Sequence, residues 1–151
     1  MIDSSKFPKA ALAASNFADP DTITKILKQS RTIAIVGLSS RPERPSFRVA
    51  KYLQSAGYKI FPVNPKETEV LGVKSYATLH GAQEPIDLVQ IFRQSSFVPE
   101  IVDGAIRMGA KAIWMQEGVV NEAAAAKARD AGLAVVMDRC MLKEHARRAW
   151  A

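Results

Sequence analysis

Five short apolar runs alternate with longer stretches in which apolar residues recur every three to four positions. The runs are TIAIV (32–36), YKIFPVN (58–64), DLVQIF (87–92), KAIWMQ (111–116) and AVVMD (134–138). They are nearly continuous rather than alternating, the pattern of parallel strands covered on both faces. The stretches between them read as helices. Asp19 and Pro20 supply an N-cap and a first-turn proline, with Ile23, Ile26 and Leu27 on one face and an end near Ser30. Phe47, Ala50 and Leu53 share the face of a second helix, which begins near Ser46 and is closed by Gly57. A third starts at Ser95 or Ser96, carries Pro99 in its first turn, and is apolar at Ile101, Val102, Ala105 and Ile106; Gly109 closes it. Asn121 caps a fourth that runs to Ala131, ahead of Gly132. Residues 139–151 read as a short terminal helix, and residues 1–18, without a steady period, as a loose N-terminal arm.

Two stretches fit less simply. Pro62 is awkward inside a central strand and better placed near a strand's exit. Between residues 67 and 80 the pattern is irregular, with residues 72–76 as a short edge strand and Leu79 anchoring a single helical turn.

Strands alternating with helices predict an α/β domain over residues 19–151: a doubly wound, mostly parallel sheet with helices on both faces. Ligands of such sheets sit beyond the C-terminal strand ends, where the strand order reverses. That rule selects the loops after Val36, Val63, Ile91 and Met115. The first runs from strand through Gly37, Leu38, Ser39, Ser40 and Arg41 toward a helix start at Ser46. A helix start offers unpaired backbone N–H groups and a positive dipole end, so the order strand, glycine, helix favours an anion.

The spacing narrows the nucleotide. A dinucleotide fingerprint has three glycines, G-x-G-x-x-G. Here Gly37 stands alone, and serine hydroxyls and the Arg41 guanidinium take the other places, where they can hold phosphate directly. NAD sites carry an acidic residue after the second strand to bond the ribose hydroxyls. This chain has Asn64, Pro65 and Lys66 there, followed by Glu67. A lysine favours an extra phosphate near the ribose, which suits NADP and coenzyme A alike.

Composition changes little: 48% hydrophobic and 24% charged residues over 151 positions describe an ordinary globular domain. No apolar stretch approaches the roughly 20 residues of a membrane helix, and the alanine-rich run at 10–14 is too short and weakly apolar for a secretory signal, so a cytoplasmic setting is expected. The net charge of +6 is concentrated partly in residues 143–148 and reads as a solvated basic end; without an aromatic–basic stripe, nucleic acid is disfavoured.

The chain resembles the small single-domain coenzyme A-binding proteins of the YccU type, relatives of the coenzyme A-binding domain of the succinyl-CoA synthetase α subunit. The stretches that carry the likeness are IAIVGLSSRPERPSFRVAKYL, YKIFPVNP, DLVQIFR, IWMQEGVVNEAAAAKARDAGL and VVMDRCMLKEH, spanning about residues 21–147. The resemblance implies a five-stranded Rossmann-like fold with coenzyme A at the switch point. It matches the synthetase's first loop to residues 39–42, its phosphate-binding lysine to Lys66, the segment after its third strand to Phe92 and Arg93, and its Ile-Thr-Glu-Gly to Met115, Gln116, Glu117 and Gly118. Phe92 and Arg93 would then flank the adenine or the pantetheine arm. The synthetase has a second glycine where Ser40 stands, its Pro-Gly-Lys turn is one residue longer than Pro65-Lys66, and its catalytic phosphohistidine lies in another domain.

The cofactor-binding set expected is therefore Gly37, Ser39, Ser40, Arg41, Ser46, Asn64, Pro65, Lys66, Phe92, Arg93, Gln116 and Glu117, with coenzyme A or an acyl-CoA as ligand. No catalytic or metal-ligating set is expected: His80 and His145 are 65 positions apart without ligand spacing. Glu117 is better suited to bonding pantetheine amides than to acting as a base. Cys140, the only cysteine, excludes an internal disulfide; exchange with a coenzyme A thiol would require it to be accessible. The competing reading is an NADP-dependent oxidoreductase or another nucleotide-binding enzyme, against which stands the lack of a Tyr-x-x-x-Lys or similar hydride-transfer set. A homo-oligomer or another protein partner stays open.

Overall fold

The computed structural model describes residues 18–148. The expected arm at 1–18 lies outside them except for Ala18, as does the end of the expected terminal helix beyond Arg148.

Five strands form one parallel sheet: β1 (Thr32–Val36), β2 (Lys59–Val63), β5 (Leu88–Ile91), β6 (Ala112–Met115) and β7 (Ala134–Val136), in the order β2-β1-β5-β6-β7. A two-stranded antiparallel hairpin, β3 (Glu69–Val70) and β4 (Val73–Lys74), stands apart. The helices are α1 (Pro20–Gln29), α2 (Pro45–Ser55), α3 (Val98–Arg107), α4 (Glu122–Asp130) and α5 (Met141–Ala146). Both strand faces are buried. Ala34, Val36, Val89, Ile91, Ile113 and Met115 join the apolar sides of α3 and α4. Ile33, Ile35, Ile60, Leu88 and Trp114 join α1, α2 and Met141 of α5. This is the doubly wound Rossmann-like architecture the continuous apolar runs predict.

The expected capping residues operate at the starts of α1 and α4, whereas the start expected at Ser95 or Ser96 is a 3₁₀ turn, Ser95–Phe97, and α3 begins after it at Val98. The Asp19 carboxylate accepts the Thr22 N–H at 2.8 Å, and the Asn121 side chain accepts that of Ala124 at 3.0 Å. In α2 the buried face is Ser46, Val49, Ala50 and Leu53, with Phe47 only partly covered. Pro62 lies in β2, which is an edge strand. Its carbonyl points away from β1 and accepts the Tyr76 N–H at 2.9 Å, so the missing N–H costs no bond to β1. The edge expected at 72–76 is divided: residues 73–74 pair with β3, and Tyr76 bridges Val63 in parallel. Leu79 opens a 3₁₀ turn, Leu79–Gly81.

At the opposite end of the sheet, Asp87 ties the chain entering β1 to β5. Its Oδ2 accepts the N–H groups of Arg31 at 2.8 Å and Thr32 at 3.3 Å, and Lys111 Nζ stands 3.7 Å from Oδ1. Burial pushes this carboxyl up, but the two amides and Lys111 outweigh it, so its pKa lies below the ordinary value. A depressed carboxyl contributes stability that is present above its unfolded pKa, about 3.9, and is lost as pH falls through the folded value. The melting temperature is therefore expected to fall more steeply below about pH 4 in the wild type than in Asp87→Asn. Parallel pH profiles for the two would refute that role.

Candidate functional site

The strand order places the reversal between β1 and β5: the chain moves from β1 outward to β2, then returns to β5 on the other side. The crevice beyond their C-terminal ends is the ligand position of such a sheet. The four strands end at Val36, Val63, Ile91 and Met115, the positions from which the candidate loops were expected to start.

Gly37 is the joint of the crevice. Its N–H donates to Val63 O at 2.8 Å, and beside it the Phe92 N–H donates to Val36 O at 2.8 Å. Its φ is +90°, and a Cβ placed there would lie 2.6 Å from Phe92 O and 3.1 Å from Arg93 Cδ. Glycine is required here on both counts. Arg93 passes across this glycine and sets its guanidinium 4.1 Å from the centre of the Phe97 ring.

The turn after Gly37 is tied down by its own side chains. The Ser39 N–H donates to Ser46 Oγ at 3.1 Å, and the Arg41 N–H donates to Ser39 Oγ at 3.1 Å. Asn64 Nδ2 donates to Leu38 O at 3.1 Å, which joins this turn to the loop after β2. Asn64 Oδ1 accepts the Lys66 N–H at 3.0 Å and so shapes the turn carrying Pro65 and Lys66. Between the serines, the Ser40 N–H donates to Glu67 Oε2 at 2.8 Å. That bond holds the Glu67 carboxyl below its usual pKa. Helix α2 begins at Pro45 with no side chain capping it, which leaves its dipole end open to an anion. Arg41 Nε meets Glu43 at 3.2 Å, with both side chains 64% exposed. Such a pair is worth little and exchanges readily.

The structure thus brings Gly37, Ser39, Ser40, Arg41, Asn64, Pro65, Lys66, Phe92 and Arg93 onto three adjoining loops, with Ser46 in the first turn of α2 beside them. Gln116 and Glu117 are engaged elsewhere. Gln116 is buried, and its Oε1 accepts Gln90 Nε2 at 3.0 Å and the Met141 N–H at 3.0 Å. Glu117 pairs with Lys143 of α5 at 3.0 Å. The Gly118 N–H donates to Asp138 at 2.7 Å. Cys140 is buried among the residues under α5, at 8% exposure, which withholds the access that thiol exchange needs.

Sequence reading missed three residues here. Gln90 is wholly buried in β5 with its Oε1 unpartnered; a glutamine inside an apolar strand was the available signal. Glu67 was visible, but its bond to Ser40 was not. Asp138 adopts φ +55°, for which the sequence gives no cue.

Two clefts lie at the other end of the molecule. One of about 100 Å³ is lined by Thr22, Ile26, Asp87, Lys111 and Ala134. The other, about 350 Å³, is lined by Lys28, Arg31, Gly57, Tyr58 and His145. The larger also contains Ser30 and Ala56, the C-terminal caps of α1 and α2. Helix C-termini carry partial negative charge, which the basic side chains there offset. Among the described residues no cluster of His, Cys, Asp and Glu is arranged to hold a metal ion, and no helix is long and apolar enough to cross a membrane.

The chain is similar to several known proteins. A family model described as a CoA binding domain matches residues 31–146. The uncharacterized protein YneT of Bacillus subtilis (strain 168) is 44% identical over 124 residues, 82% of this chain and 92% of that protein. A solved structure described as a hypothetical protein from Pyrococcus horikoshii OT3 superposes with a TM-score of 0.84 at 41% identity, covering 87% of this chain and 93% of the other. The ADP-forming acetate–CoA ligase of Methanocaldococcus jannaschii is 29% identical over 87 residues, which cover 58% of this chain but 12% of that enzyme.

Proposed function

The chain belongs to the CoA-binding-domain family, and from that premise we propose that it binds coenzyme A or an acyl-CoA at the switch-point crevice, as a binding module without catalysis of its own. The observation that carries this reading is the Ser39–Arg41 turn: it lies before an uncapped helix start, presents serine hydroxyls, and holds a guanidinium in only an exposed ion pair. In this reading the turn takes the pyrophosphate. Lys66 takes the ribose phosphate, and Phe92 and Arg93 flank the adenine or the pantetheine arm. Glu117 bonds the arm's amides, for which it must leave Lys143, while Gln116, buried and already accepting from Gln90 and Met141, holds the base of that loop. Residues 19–151 form the binding domain and 1–18 an arm.

The likeness to a segment of an acetate–CoA ligase supports the ligand class. The narrower identification, a single-domain protein of the YccU type, draws support from a relative covered over 92% of its length. A cytoplasmic setting belongs to the same proposal; the chain's one cysteine is free.

Thermal melts test the ligand. A ligand binding only the native state at 100 times its Kd stabilises it by about 2.7 kcal/mol. Coenzyme A is expected to raise the melting temperature, and NADPH and NADH to leave it unchanged. A shift with NADPH and none with coenzyme A would replace this reading with the NADP-dependent enzyme. Arg41→Ala is expected to weaken coenzyme A binding about tenfold, the loss of one charge-assisted bond, while Arg147→Ala leaves it unchanged. Equal losses from the two would mean nonspecific charge attraction.

A further inference from the structure

We propose that Glu67 is the residue that sets the affinity of this site for phosphate-bearing ligands, by occupying the Ser40 amide with its own carboxylate until a ligand phosphate displaces it. This rests on the proposed coenzyme A site and deepens it. Three successive amides line the turn after β1. Those of Ser39 and Arg41 donate to serine hydroxyls, at 3.1 Å each, and the one between them donates to the Glu67 carboxylate at 2.8 Å. A carboxylate at a backbone amide has the charge and the geometry of the phosphate oxygen that the turn is proposed to hold, and one N–H cannot serve both strongly.

Other bonds also tie the turn down. Asn64 holds Leu38 from the loop after β2, and Ser46 holds Ser39 from α2, both through uncharged groups. What Glu67 adds is a negative charge at the anion position. Among the described residues no lysine or arginine is ion-paired with it; Arg41, in the turn itself, is paired with Glu43. The Ser40 amide lowers the Glu67 pKa, so the carboxylate is ionised at neutral pH and opposes an incoming phosphate. The site therefore binds its anion against an internal competitor, and the residue at position 67 fixes how strong that competition is.

Two substitutions separate the charge from the hydrogen bond. Glu67→Gln keeps an oxygen that can accept the Ser40 N–H and removes the charge, whereas Glu67→Ala removes both. Calorimetric titration with coenzyme A is expected to show both variants binding at least about tenfold more tightly than the wild type, equivalent to about 1.4 kcal/mol. The melting temperature of ligand-free Glu67→Gln should stay close to that of the wild type. If the wild type shows no binding but Glu67→Gln does, the competitor role is supported in its strongest form. Wild-type binding with Glu67→Gln unchanged and Glu67→Ala weaker would make Glu67 a clamp for the loop. Weaker binding by Glu67→Gln would make it a ligand contact, such as an acceptor for a ribose hydroxyl. Either result overturns the inference and leaves the coenzyme A site standing. No binding by any of the three overturns both.

Discussion

Gly37→Ala is expected to destabilise the fold by about 3 kcal/mol, and with it to abolish any shift produced by coenzyme A. Two costs combine. An alanine at φ +90° costs about 1–2 kcal/mol in backbone strain. Its Cβ would also stand 2.6 Å from the Phe92 carbonyl oxygen, a backbone atom that cannot rotate aside. Relieving that overlap shifts the start of the loop after β5, at about 1–3 kcal/mol, and moves Arg93 with it. For a chain of this size each kcal/mol is about 2–4 °C in melting temperature, so a drop of roughly 6–12 °C follows. Gly132→Ala is the internal control. Its φ is +94°, but no atom lies within 4 Å of the added Cβ. It should lose only the backbone part, about 1–2 kcal/mol. Equal losses at the two positions would show that the contact with Phe92 costs nothing, and the joint assigned to Gly37 would fail.

Arg148→Met is expected to cost about 2–3 kcal/mol. The side chains of Glu144 and Arg148 are 6% and 16% exposed, with Nη1 and Oε1 at 3.0 Å. The same guanidinium donates to Thr24 Oγ1 at 2.8 Å and to Pro20 O at 3.3 Å, fastening α5 to the first turn of α1. Removing one partner of a buried pair leaves the other charge desolvated, typically a loss of about 3–5 kcal/mol. Arg147 remains 3.5 Å from Glu144 and reduces the loss. The double variant Glu144→Gln, Arg148→Met leaves no buried charge and should recover part of it. Urea unfolding in which the double variant is as unstable as the sum of its singles would contradict this account. A basic run at the end of a sequence reads as a solvated face, and Lys143 and Arg147 fit that. Arg148 does not, because the α5 turn sets it over Glu144 and the start of α1, which no local pattern reveals.

The same distinction explains what else could be read in advance. Strand limits and helix caps depend on local chemistry: a β-branched run, a carboxylate or amide at an N-cap, a glycine after the last turn. Thus β1 ends with its run, β2, β5 and β6 end one residue inside theirs, and Asp19 and Asn121 accept the amides expected of caps. Properties that depend on partners distant in sequence were less legible. The β3–β4 hairpin turns through Leu71 at φ +54° and Gly72 at φ +77°. A leucine is a poor marker for that conformation; Gln54 of α2 supports it by donating to the Leu71 carbonyl at 3.1 Å. In the site, the serines and Arg41 could be picked out because they interrupt a known spacing. The pairing of Ser40 with Glu67 across 27 residues, of Gly118 with Asp138, and of Gln116 with Gln90 could not. In each the partner is brought by sheet order rather than by sequence.

The most direct measurement is a crystal structure of the protein grown with coenzyme A. The pyrophosphate is predicted beside Gly37, within hydrogen-bond distance of the Ser39–Arg41 turn, with the Glu67 carboxylate moved off the Ser40 amide. Density for the cofactor in the cleft of Lys28, Arg31 and His145, with the crevice beside Gly37 empty and the Ser40–Glu67 bond intact, would contradict the account.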